Sequence, residues 1–187
     1  MKPRDLLFYL AAGLALGAVA GAVAARALGV YDDSRWSAVI LFAFAGAIAG
    51  SAGAVVSGSR RAAARDAAAG FVLSGGGLWV ISLARFARGD LSTNAVAVGL
   101  VFFTFIFSAA LGASHAWSLR ERGAWVAAAL FGGVGGLLAL ALGMKIISIA
   151  NLVVTAAAAG AVYGGFVWTA IAAARRIFIV DVGQFRV

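Results

Sequence analysis

Long apolar runs separated by short charged links make up the chain, so the stretches free of Asp, Glu, Lys and Arg carry the first structural information. A helix needs about 20 predominantly apolar residues to cross a hydrocarbon core. Six runs approach or exceed that scale: Leu6 to Ala25, Trp36 to Ser59, Ala67 to Ala84, Leu91 to Leu119, Gly123 to Met144 and Ile146 to Ala174. The last two touch across Lys145, and Asn151 is the strongest helix-start signal there, which places the turn near Ser148 to Asn151. The pattern predicts an all-α polytopic membrane protein with six transmembrane helices, a single integral membrane domain over residues 1–187. The first run is longer than the roughly 7 to 15 apolar residues of a secretory leader's core, so it reads as the first membrane helix.

Composition sharpens this picture. Of 187 residues, 64% are hydrophobic and 12% charged, whereas a soluble domain is about half apolar and about a quarter charged. With no Cys, one His and two Met, the chain's own residues offer no thiolate zinc site, iron–sulfur cluster, disulfide framework or bis-histidine haem, so neither a metal nor a cofactor is expected. The net charge of +8 is spread in short clusters between apolar runs. Without a continuous basic face, these clusters read as topology signals in a lipid bilayer and not as a nucleic-acid surface.

Short cytoplasmic loops carry the excess of Lys and Arg. With the N-terminus inside, that side holds Lys2, Arg4, Arg60, Arg61, Arg65, Arg120, Arg122, Arg175, Arg176 and Arg186, against Arg26, Arg35, Arg85, Arg88 and Lys145 outside. Both termini are therefore expected in the cytoplasm, with the protein in the cell (inner) membrane. Arg60, Arg61, Arg65, Arg175 and Arg176 form a basic rim suited to anionic lipid heads. Trp36, Trp79, Trp117, Trp125 and Trp168 fall near predicted helix ends and read as interfacial anchors.

A shift of 89 residues aligns the chain with itself, matching Trp36 to Trp125, Phe42 to Phe131, Gly46 to Gly135, Gly75-Gly76 to Gly164-Gly165 and Trp79 to Trp168. Three helices per repeat is an odd number, so the halves, residues 1–90 and 91–174, would be inverted, with residues 175–187 as a cytoplasmic tail. Inverted repeats favour a site near the midplane, where broken helices of the two halves meet. The paired candidates are Ser74-Gly75-Gly76-Gly77 in helix three and Tyr163-Gly164-Gly165 in helix six. Consecutive glycines weaken a helix and expose carbonyls to a ligand, but they also let helices pack closely in lipid. Gly13, Gly17 and Gly21 form a ladder of small residues along helix one, suited to helix packing or to an oligomer or membrane-protein partner.

Ionisable groups deep in a bilayer mark function, and none falls at the centre of a run. Asp66 borders helix three, and Arg26 and Lys145 lie within snorkelling reach of the interface, so no side-chain proton relay is expected. Leu73-Ser74-Gly75-Gly76 resembles the serine motif of rhomboid proteases, which implies Ser74 as nucleophile with His115 as base. The two differ in depth by roughly 15 Å along the helix axes, so no catalytic residue is assigned and His115 reads as an interfacial residue bonded to backbone or water. Phe102, Phe103, Phe105 and Phe107 wrap around helix four and read as lipid-facing, with one side lining an apolar pocket as the alternative. The leading expectation is a small transporter or channel for a neutral, apolar or small permeant. The alternative is a non-catalytic or substrate-binding subunit of a larger complex. In size, helix number and termini the chain is similar to the substrate-binding components of energy-coupling-factor vitamin importers, which implies a partner that supplies the energy.

Overall fold

The computed structural model describes the backbone of residues 3–30, 33–88, 93–121, 124–146 and 152–184. These form six helices: α1 (Pro3–Gly29), α2 (Arg35–Ser57), α3 (Arg60–Arg88), α4 (Thr93–Ser118), α5 (Trp125–Ile146) and α6 (Leu152–Gln184). Five contain segments long and apolar enough to cross a membrane, Asp5–Gly29, Arg35–Ser57, Val98–Ser118, Trp125–Leu142 and Leu152–Ile177. They fit an integral membrane protein. Arg60, Arg61, Arg65 and Asp66 make the first two turns of α3 more heavily charged than those of the other five. The turn expected near Ser148 to Asn151 lies outside the described residues.

Local signals explain the boundaries. Ser34 adopts an extended conformation and its hydroxyl accepts from the Ser37 amide at 3.3 Å, capping α2. At the other end Gly58 takes the left-handed conformation, φ 64°, and its amide bonds Ala54 O at 3.0 Å. The hydroxyl of Ser59, the next residue, accepts from the Ala62 amide at 3.3 Å and starts α3 at once. Helix three therefore begins at Arg60, not at Ala67, and Asp66 sits inside it. A rule that trims helices at their charged residues misses the glycine reversal and serine cap that drive the start. At the far end, α6 continues through Arg175 to Gln184, so residues 175–184 extend the helix.

Each helix packs on its sequence neighbours and α6 returns to α1, which closes a ring. The seam between α3 and α4 is the sparsest in that ring. The contact between α1 and α6 is the most extensive, and small residues make it so. Gly13 faces the Gly164 carbonyl, Gly17 the Gly160 carbonyl and Gly21 the Ala156 carbonyl, in antiparallel register at every fourth residue. A methyl group at any of these glycines would collide with backbone that cannot give way. The ladder on helix one is thus engaged within the chain. Between α2 and α3, Gly46 faces Gly70 and Gly50 faces the backbone of Asp66; Gly112 faces Ala128 between α4 and α5. Large apolar side chains point outward, among them Phe8, Ile40, Val72, Ile106 and Val134. In lipid such exposure carries no hydrophobic penalty, and close backbone packing supplies the association energy instead.

Gly17→Leu is expected to destabilise the bundle by about 3 kcal/mol, the upper end of the overpacking range, read as the midpoint of an SDS unfolding titration. Gly76→Leu is the matched control: a Cβ there meets nothing within 4 Å, and the midpoint should stay unchanged.

Candidate functional site

The helix ends that carry Arg60, Arg61, Arg65, Arg120 and Arg176 enclose a chain of hydrogen-bonded polar side chains, one or more from each of α1, α3, α4, α6 and the link after α4. Asp66 and His115 are both fully buried. The hydroxyl of Ser114 donates to Asp66 Oδ1 at 2.8 Å, and His115 Nδ1 lies 2.7 Å from Asp66 Oδ2. On the far side of the ring, Tyr9 OH lies 2.9 Å from His115 Nε2. Arg175 Nη1 donates to Tyr9 OH at 2.5 Å and reaches within 3.3 Å of His115 Nε2. The same guanidinium grips Glu121 with two parallel bonds, Nε to Oε2 and Nη2 to Oε1, each 2.6 Å, the geometry that makes Arg–carboxylate pairs strong.

With Asp66 ionised and the imidazole neutral, donors and acceptors match along the whole chain. An ionised Asp66 can only accept, so the neutral imidazole carries its hydrogen on Nδ1 and presents a lone pair at Nε2. Tyr9 donates to that lone pair and its oxygen accepts from Arg175. Every polar group in the series is thereby satisfied, the condition for burying such groups away from water.

Two local features deliver the outer members. Arg120 has φ 61°, the sole non-glycine residue with positive φ among the described residues. The Glu121 amide bonds Ala116 O at 2.9 Å and the Arg120 amide bonds Trp117 O at 3.0 Å. This is a Schellman turn with arginine where glycine is usual, and it aims Glu121 at α6. Trp168 supports the inner members: its ring stacks on Tyr9 at 6.4 Å, meets His115 edge-on at 5.2 Å, and its indole N–H donates to Ala49 O at 2.9 Å. Gly53 leaves the slot for this ring, since a Cβ there would collide with it.

Several readings from the sequence change accordingly. His115 is fully buried, and its ring nitrogens meet the side chains of Tyr9 and Asp66 instead of backbone or water. Asp66 is no helix border, and Arg175 is turned inward instead of joining a lipid-facing rim. Trp168 is 1% exposed and part of the core, while Trp36, Trp79, Trp117 and Trp125 remain exposed. Charge counting missed the cluster because its hydrogen-bonded partners lie 48 to 166 residues apart and each borders an apolar run. A signal was present: Asp66 and Glu121 are two of only seven carboxylates, set among arginines.

On the mid-bundle side of Trp168 lies a cavity of about 350 Å³. Its wall is mostly small and aromatic residues, including Gly17, Ala45, Ala49, Phe103, Phe107 and Ala159, with Ser74, Thr104 and Tyr163 as the polar side chains. Ser108 Oγ donates to Thr104 O at 2.7 Å, so Tyr163 is the donor in its short contact with the Ser108 hydroxyl. The phenol oxygen of Tyr163 keeps acceptor capacity toward a ligand. The phenylalanines of α4 are divided: Phe102 is exposed, whereas Phe103 and Phe107 stack at 5.8 Å and line the cavity.

The glycine runs do not break their helices; α3 and α6 are continuous through them. Gly75 lies against Ala43, Gly77 against the Phe103 ring, Gly164 against Gly13 and Gly165 against Leu14, while Gly76 faces outward. Ser74 and Tyr163 alone of these candidates face the cavity. Among the described residues no group of three His, Asp or Glu is placed to hold a metal ion. Comparison with known protein families, curated proteins and solved structures finds no match to this chain.

Arg120→Gly should raise stability by about 1 kcal/mol by relieving the left-handed arginine, measured in the same unfolding titration. Arg175→Gln should lower it by about 2 kcal/mol, the low end for a partly exposed hydrogen-bonded ion pair, with Glu121→Gln added to Arg175→Gln recovering part of that loss.

Proposed function

We propose that the protein is a small membrane carrier or channel for an uncharged, largely apolar solute held in the mid-bundle cavity. The observation that carries this reading is the cavity itself, whose size falls at the small end of ligand pockets and whose wall is apolar except for three hydroxyl-bearing side chains. An apolar wall with a few hydroxyls binds an alkyl or ring body and orients one polar group. Ser74 on α3 and Tyr163 on α6 are the residues assigned to that polar group. The sparse α3–α4 seam, where Phe103 covers Gly77, is the lateral route to the cavity from the bilayer.

The architecture we attach to this function has six crossings in two inverted halves, with α3 as the sixth span. The basic helix ends and both termini are assigned to the cytoplasm, in the inner membrane, by the excess of arginine there. A homo-oligomer or a membrane-protein partner would join through the outward apolar faces, because the glycine ladder of α1 is already occupied by α6.

The test is a swelling assay on proteoliposomes challenged with a graded panel of uncharged polyols and diols, followed by light scattering. The protein should speed entry of the more apolar members, and Ala159→Phe, which fills the cavity, should return the rate to that of empty liposomes. Protein-free rates for every solute in the panel would remove the transport reading.

A further inference from the structure

The mid-bundle cavity accounts for the centre of the ring but leaves the buried chain of Asp66, His115, Tyr9, Arg175 and Glu121 without a task. Exposure falls steadily along it: the Glu121 side chain is 18% exposed, Arg175 11%, and His115 and Asp66 are at 0%. Glu121 and Arg175 therefore form the accessible mouth of the chain and Asp66 its dead end. With the imidazole neutral, the cluster holds two carboxylates and one guanidinium, a formal charge of −1 in a setting that penalises unbalanced charge. On the neutral imidazole the proton-accepting position is the Nε2 lone pair, which Tyr9 covers.

We infer that this chain is a reversible proton site: one proton from solvent binds His115 Nε2, and its binding is linked to occupancy of the cavity. The linkage rests on the cavity reading above; the proton site does not. A hydronium ion at the Glu121–Arg175 mouth gives up its proton, which ends on the Nε2 lone pair as a new N–H, leaving water behind. The cluster becomes neutral and Asp66 faces an imidazolium. Tyr9 can then no longer donate to Nε2; its hydroxyl turns its hydrogen away and accepts from the ring instead. That oxygen now faces two cationic donors, and Arg175 Nη1 stands 3.3 Å from a ring that carries the same charge. Contact between α6 and α1 is what changes.

The titratable and charged groups that face His115 are Tyr9 from α1, Asp66 from α3 and Arg175 from α6, and Glu121 after α4 stands behind them in the grip of Arg175. Arg65, Arg120 and Arg176 are exposed. From α2 come the Ala49 carbonyl and Gly53, which seat Trp168, and from α5 the buried Ala128. Trp168 transmits the change, because it touches both Tyr9 and His115 while its indole holds Ala49, a residue of the cavity wall.

His115 is the chain's single histidine, so the full-length protein labelled with [15N]histidine gives an unambiguous readout. At high pH the two ring nitrogens should report the Nδ1–H tautomer, and as the pH is lowered both should move together to the imidazolium. Asp66→Asn should abolish that transition. In parallel, a diazirine-bearing octanol is photolysed with the protein and labelled residues are mapped by mass spectrometry. Labelling around Tyr163 should change by about fivefold across the same transition, a typical coupling between two sites, and become flat in Tyr9→Phe. A histidine that keeps one protonation state throughout overturns the proton site and leaves the cavity reading intact. A titrating histidine with pH-independent labelling overturns the linkage. Absence of cavity labelling at every pH overturns the cavity reading and the linkage together, with the proton site still judged by the nitrogen shifts.

Discussion

Asp66 is a carboxylate held where water does not reach, and the arrangement of one whole end of the ring answers to that fact. A buried charge is tolerated when both oxygens are bonded and an opposite or protonatable partner stands beside it. Ser114 and His115, adjacent on α4, supply those bonds. His115 then requires a donor, which Tyr9 provides, and Tyr9 in turn accepts from Arg175. Satisfying one carboxylate thus ties four helices and a link to a common point.

That convergence depends on how closely the helices approach. Tyr9 and Arg175 meet only because Gly13, Gly17 and Gly21 let α1 lie directly on the backbone of α6. Gly50 does the same for α2 over Asp66, and Gly53 opens the slot for Trp168. Where glycines and alanines draw backbones together, the ring seals. At mid-depth, aromatic residues from α2 and α4 meet small residues from α1, α2 and α6, and the mismatch in volume leaves the cavity. Packing and void therefore come from the same residue choice, and Trp168 links the two regions by packing on Tyr9 and His115 while bonding Ala49 of the cavity wall.

Six helices, five of them long and apolar enough to cross a membrane, were legible because lipid imposes a length and an apolar composition that can be counted along one dimension. The glycine ladders were also legible as contact faces, since a four-residue spacing marks one side of a helix. Ser74 and Tyr163 stood out in the sequence through neighbouring glycines, yet it is their own hydroxyls that face the cavity. The polar chain was not legible. Asp66 reads as a border, His115 as a surface residue and Arg175 as a lipid contact when each is judged by its own helix, since pairing across 49, 60 or 166 residues leaves no local periodicity.

What the sequence determined alone was the helical class: hydropathy and run length fit helices that cross a bilayer, where unbonded backbone in hydrocarbon is too costly for any other open form. The caps at Ser34, Gly58 and Ser59 are likewise local, each residue acting on its own few neighbours. Tertiary structure decided which charges leave the surface. Whether Asp66, His115 and Arg175 face lipid, water or one another depends on the rotation and closeness of helices far apart in the chain, and those are set by glycine contacts whose partners no single helix contains.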